Sequence, residues 1–161
     1  MTAQPLFLDG GSYTAAGAGG SEIGPWSAPF NLAPPVDFTN AGNFGTVNRG
    51  SSQRVEFNGG DNTQFVEVVF VNVINVQAEV PTATGVACLA RPVDGEITVS
   101  SSLLSTIPAS TPPDANGDLT SVGAVVVGGT QIRDVTTFTA QGLNNGVVTS
   151  ASVNVVTTIF E

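Results

Sequence analysis

The chain has 161 residues, 41% of them hydrophobic, and sets 13 acidic residues against four arginines, with no lysine and no histidine. That length suits one domain with a real core, and that apolar content excludes a disordered acidic tail. No unbroken apolar stretch reaches the roughly 18 residues of a membrane-crossing helix, and four scattered arginines under a net charge of −9 cannot replace the counterions of a nucleic-acid backbone.

Residues 1–35 are rich in Gly, Ala and Pro, with GSYTAAGAGGSEIG in the middle and NLAPP at the end. Such a segment buries too little apolar surface to nucleate a core by itself. It reads as an extended N-terminal arm pinned by Phe7, Trp26 and Phe30, with a loose terminus as the alternative, and residues 36–161 then form a single domain. The first residues lack the basic start and apolar run of a secretory signal peptide, so a chain starting at Met1 is expected to be made and folded in the cytosol. One cysteine leaves no internal disulfide framework.

Strand signals begin at QRVEF, where Val55 and Phe57 share one side and Arg54 and Glu56 the other. NGGD follows and predicts a hairpin into TQFVEVVFVNVINV, residues 63–76. Successive strand side chains point to opposite sides, which puts Phe65, Val69, Val71 and Val73 on one face and Val66, Val68, Phe70 and Ile74 on the other. The β-branched content favours a central strand over a helix. Leaving either row in water would cost about 1.5–3 kcal/mol per large side chain relative to full burial, so both faces need cover.

GVACLARPVDGEITVSSSLL predicts a second hairpin, since Asp-Gly suits a two-residue turn. Pairing Val93 with Glu96 gives a core face of Val86, Cys88, Ala90, Pro92, Ile97, Val99 and Leu103. Pro92 cannot donate to a ladder, so its strand is at an edge or locally irregular. Residues 108–118 form a long loop, followed by the strand-like segments SVGAVVVGG and TQIRDVTTFTA, a turn in QGLNNG, and VVTSASVNVVTTIF. In this last segment Val147, Ala151, Val153, Val155 and Ile159 are expected to face the core, opposite Ser150, Ser152, Asn154 and Thr158. No stretch has a capped helical period. The pattern predicts an all-β, antiparallel β-sandwich, of which a jelly roll is one topology.

The missing residue types decide the chemistry. Without histidine or lysine there is no Ser-His-Asp triad, Cys-His pair, lysine Schiff base or histidine-ligated metal. A two-carboxylate glycosidase would need Glu56 and Glu67 facing each other across a cleft, and solvated strand-face acids are the preferred reading. DANGD sets Asp114, Asn116 and Asp118 at alternate positions, as in the first half of a calcium loop, but Leu119 and Val125 stand where the pattern wants Gly and Glu. A turn bonded by its own Asp and Asn side chains is preferred, and no cofactor is expected.

Edge strands of monomeric β-proteins are guarded by lysines, inward charges, prolines or bulges. Residues 65–76 and 147–160 hold one charge between them, Glu67. Such ribbons call for pairing within the sandwich or with another chain. The whole resembles, as a class, the β-sandwich structural proteins of bacterial and archaeal viruses. That likeness implies a non-enzymatic, self-assembling virion protein, a capsid or capsid-decorating subunit, partnered by its own copies or other capsid proteins. The acidic balance favours a position away from packaged nucleic acid. The alternatives are a carbohydrate- or calcium-binding module using Trp26, Tyr13 and the Asp114–Asp118 loop, and a subunit of an extracellular filament joined by donated strands.

Overall fold

The computed structural model describes residues 8–161. Twelve strands, two 3₁₀ turns and one α-helical turn occur among them, and the architecture is an all-β sandwich. The larger layer has five strands: β4 (Thr46–Val47), β12 (Ala151–Phe160), β9 (Ser121–Gln131), β6 (Gln64–Ile74) and β7 (Thr82–Ala90), in that spatial order. The smaller layer has three, β3 (Val36–Phe38), β5 (Gln53–Gly59) and β8 (Glu96–Val99). Two further hairpins, β1 (Gly11–Gly17) with β2 (Trp26–Leu32) and β10 (Thr136–Ala140) with β11 (Leu143–Val148), complete the chain.

The core lies between the two layers. Val66, Val68 and Phe70 of β6 and Val125 and Val127 of β9 meet Val55 and Phe57 of β5, Phe38 of β3 and Val99 of β8. Phe44, from a 3₁₀ turn before β4, sits 5.2 Å from Phe38 and 6.0 Å from Phe70 by ring centroids. Leu104 and Ile107, on and after the α-helical turn α1 (Ser101–Leu104), are fully buried among the same side chains. Alternation explains this: residues of even number on β6 point inward, as an extended chain requires once one row is buried.

Strand β6 is flanked by β9 and β7, so it is the interior strand its composition predicts. Both expected hairpins are corrected. NGGD does not return the chain beside β5: Gly59 and Gly60 take φ of 78° and 69° and turn it from the small sheet into the large one. A Cβ at Gly59 would lie 2.2 Å from the Pro35 carbonyl oxygen, so the corner needs glycine. Likewise β7 and β8 belong to different sheets. Gly95 has the expected positive φ of 69°, yet Pro92–Asp94 form a 3₁₀ turn whose Asp94 carboxylate accepts the Arg91 N–H at 2.9 Å, and the chain crosses layers there. Cys88, Ile97 and Val99 still face the core, whereas Leu103 is 44% exposed and Leu104 takes its place because α1 breaks the strand alternation.

The C-terminal segment requires the largest correction. It is two strands, β11 and β12, separated at Thr149 and Ser150. On β12 the expected faces are reversed: Val153, Val155 and Ile159 are 51%, 60% and 55% exposed, while Ser152 and Asn154 are half-buried and Thr158 is buried. Val147 on β11 is also exposed. The polar row points inward because it holds β3. Ser152 Oγ accepts the Val36 N–H at 3.0 Å, and the Asn154 carboxamide donates to the Val36 oxygen at 2.7 Å. These side chains act as a surrogate strand for a main chain that has only three residues paired to β5.

Candidate assembly surface

The two outer faces of the sandwich differ sharply in chemistry. On the small sheet, Arg54 pairs with Glu56 at 3.2 Å and with Glu96 on the neighbouring strand. Glu96 raises the Arg54 pKa first by its hydrogen bond and then by its charge. This face is a wet, ion-paired surface.

The outer face of the large sheet carries one charge, Glu67. Its rows run across four strands in register. Val155 lies opposite Val126, Val126 opposite Val69, and Val69 opposite Ala87, an apolar line from β12 to β7. The next outward row is Thr157, Ala124, Val71 and Gly85, and Val153 and Leu89 end the row that contains Glu67. Leu89 is 63% exposed, and Val122, Ile159 and Phe65 are also exposed. Scattered surface leucines and valines are ordinary; here they stand in contiguous rows with a single carboxylate among them. The inner row of β6 is thus covered by the small sheet, and on the outer row Phe65 and Glu67 are exposed while Val69, Val71 and Val73 are half-buried.

The sequence-derived site residues fall elsewhere. Phe7 lies outside the described residues. Trp26 stacks on Phe138 with ring centroids 4.3 Å apart and planes 18° from parallel, which joins the β1–β2 hairpin to the β10–β11 hairpin. The cross-strand partners of these rings are Gly17 and Gly146, and a Cβ on either would come within 2.4 Å of the ring it faces. The Thr136 hydroxyl donates to the Pro29 oxygen at 2.9 Å, and Gly24 N–H to the Gln141 oxygen at 2.8 Å, across the same contact. Phe30 rests against Tyr13 within the first hairpin, at 6.0 Å.

Asp114, Asn116 and Asp118 do share a loop, but Asp114 Oδ1 accepts the N–H groups of both Asn116 and Asp118 at 2.9 Å. The carboxylate closes its own turn, with Gly117 N–H bonded to the Asp114 oxygen at 3.0 Å. Glu56 and Glu67 point from opposite layers of the sandwich and share no cleft.

An open cleft of about 560 Å³ lies where β5 hands over to β6, lined by Asp61, Phe65, Arg91, Pro92, Ile132 and Arg133 among others. Its charged groups are largely engaged locally. Asp61 accepts the Thr63 N–H at 2.8 Å and its hydroxyl at 2.6 Å, and Arg91 pairs with Asp94 at 3.0 Å. The Arg91 N–H, followed by its guanidinium, holds the Asp94 carboxyl below the usual carboxylate range. Among the described residues no three acidic or cysteine side chains converge as a metal site.

Sequence reasoning missed the outward row of β12 because it gave the apolar residues to the core. The signal that could have found it is the pair Ser152 and Asn154, short side chains able to bond main chain. Family models, curated protein sequences and solved structures give no match to this chain.

Proposed function

We propose that this chain is a non-enzymatic structural subunit that associates with further copies through the outer face of its five-stranded sheet. The observation that supports this most is the unbroken apolar row Val155, Val126, Val69 and Ala87, beside exposed Leu89, Val153 and Ile159. Burying such side chains is worth about 25 cal/mol per Å² of apolar area, and nothing polar on that face other than Glu67 demands solvation at comparable cost. The opposite face, with Arg54, Glu56 and Glu96, is suited to remain in water. An assembly of such subunits has a dry side and a wet side.

The setting this fits is a virion shell or a protein that decorates one, with the acidic surface turned away from nucleic acid. The net charge of −9 supports that orientation. The carbohydrate- and calcium-binding alternative draws no support from the geometry, since Trp26 is engaged by Phe138 and Asp114 by its own loop.

Val126→Glu tests the reading, because position 126 sits mid-sheet between Val69 and Val155. A glutamate there is tolerated in a lone subunit and clashes electrostatically with itself and Glu67 in a stacked one. Light scattering should show assembly in the native chain and its loss in the variant, with the β-sheet circular dichroism kept. Equal masses for the two would count against this face.

A further inference from the structure

The five-stranded sheet has two open edges that match each other. On one side, β7 pairs with β6 along all nine residues from Thr82 to Ala90 in an unbroken register, and among the described residues its other edge meets no main-chain partner. On the other side, β12 pairs with β9 from Ala151 to Thr158, while β4 reaches it only at Ile159 and Phe160. Residues 151–157 therefore present a second unpaired edge among the described residues. Neither stretch, TATGVACLA or ASVNVVT, contains a charge, a proline or a register shift, the devices that keep edges apart.

The strand directions fit as well. β12 is antiparallel to β9, β9 to β6, and β6 to β7, so β7 runs antiparallel to β12. A copy set beside the first with its sheet continuing would bring its β12 against β7 in antiparallel sense and extend the alternation without interruption. The outward side chains that would become cross-strand neighbours are Ala87 and Leu89 on β7 and Val153 and Val155 on β12, all exposed and apolar.

We propose that β7 of one copy pairs with β12 of the next, a head-to-tail strand addition that joins subunits edge to edge. The proposal rests on the self-assembly reading above and gives it a second contact besides the sheet face. The partner is a second copy because the chain itself carries both halves of the contact, matched in direction and lack of charge and close in length. A head-to-tail contact closes into a ring or continues as a filament, and the twist of about −20° to −25° per strand rotates each copy against the last.

Cysteine pairing between separately prepared full-length chains tests this. In a Cys88→Ala background, Ala87→Cys or Leu89→Cys supplies the β7 thiol, and Val153→Cys or Val155→Cys the β12 thiol. The four combinations span neighbouring registers, and antiparallel neighbours lie within the Cα separation of about 4.4–6.8 Å that a disulfide needs. Each preparation is oxidised alone and in mixture, with light scattering on the same samples. The expected result is a disulfide-linked dimer in at least one mixture and in neither parent alone. A dimer from the β7 variants by themselves would show β7 pairing with β7 and overturn the proposal. Assembled particles without any β7–β12 link would overturn it while sparing the sheet-face contact, and a monomer by scattering would overturn both.

Discussion

Asn154 and Val36, 118 residues apart, are joined by a 2.7 Å hydrogen bond from the carboxamide to the main-chain oxygen. That bond, with the 3.0 Å bond from Val36 N–H to Ser152 Oγ, explains why the apolar side of β12 faces outward. A short strand over the sheet needed main-chain partners, and the polar row supplied them.

Asn154→Ala should therefore destabilise the fold by about 1–2 kcal/mol, because it leaves a half-buried carbonyl without its donor. Val155→Ser, one residue away on the outward row, should change the stability of a dissociated chain by no more than about 0.5 kcal/mol. Urea denaturation of both at low concentration checks the pair. A larger loss from Val155→Ser would restore the inward-facing assignment.

The contrast shows how far the sequence could be read. Alternation grouped Val66, Val68 and Phe70 on β6, and Val55 and Phe57 on β5, into rows that the structure buries together in the core, but both rows of β6 are apolar and alternation alone could not say which of them faces inward. The layer-crossing corners at Gly59–Gly60 and Gly95 use the same residues as tight hairpins, and only the third dimension separates the two. On β12, polarity was a false guide: hydrogen bonds to β3 paid for polar burial. The candidate surface was legible as a shortage of charge in 65–76 and 147–160, but not as a face.

Trp26→Ala should release the β1–β2 hairpin from β10–β11, since the stacked Phe138 is its main anchor. The local cost should be about 1–2 kcal/mol, in keeping with an aromatic pair outside the central core. Hydrogen exchange should quicken in residues 11–32 and 136–148 and stay slow in β6 and β9. Gly146→Ala should do the same, because its Cβ would lie 2.3 Å from the Phe138 ring. Faster exchange throughout the sandwich would contradict this division.

Cys88 packs against the core from β7. Cys88→Ser should cost about 1–2 kcal/mol by placing a hydroxyl there without an assured partner. Native Cys88 should react slowly with a thiol reagent, and rapid labelling would show that β7 does not hold its inward row.

The Asp94 carboxyl has its pKa lowered by the Arg91 N–H and guanidinium. A lowered folded-state pKa means a contribution that is complete above the ordinary carboxylate range and disappears as pH falls through the lowered value. Asp94→Asn should therefore be less stable than the native chain at neutral pH, by a small margin at so exposed a site, and the two should converge in strong acid. Urea midpoints across that range read the effect, and a gap that persists unchanged into acid would assign it to something other than this carboxylate.

The most direct test of the assembly account is sedimentation velocity of the intact chain at micromolar concentration. The account predicts species heavier than a single chain whose share grows with concentration. One sharp boundary at the mass of a lone subunit, unmoved by concentration, would contradict it.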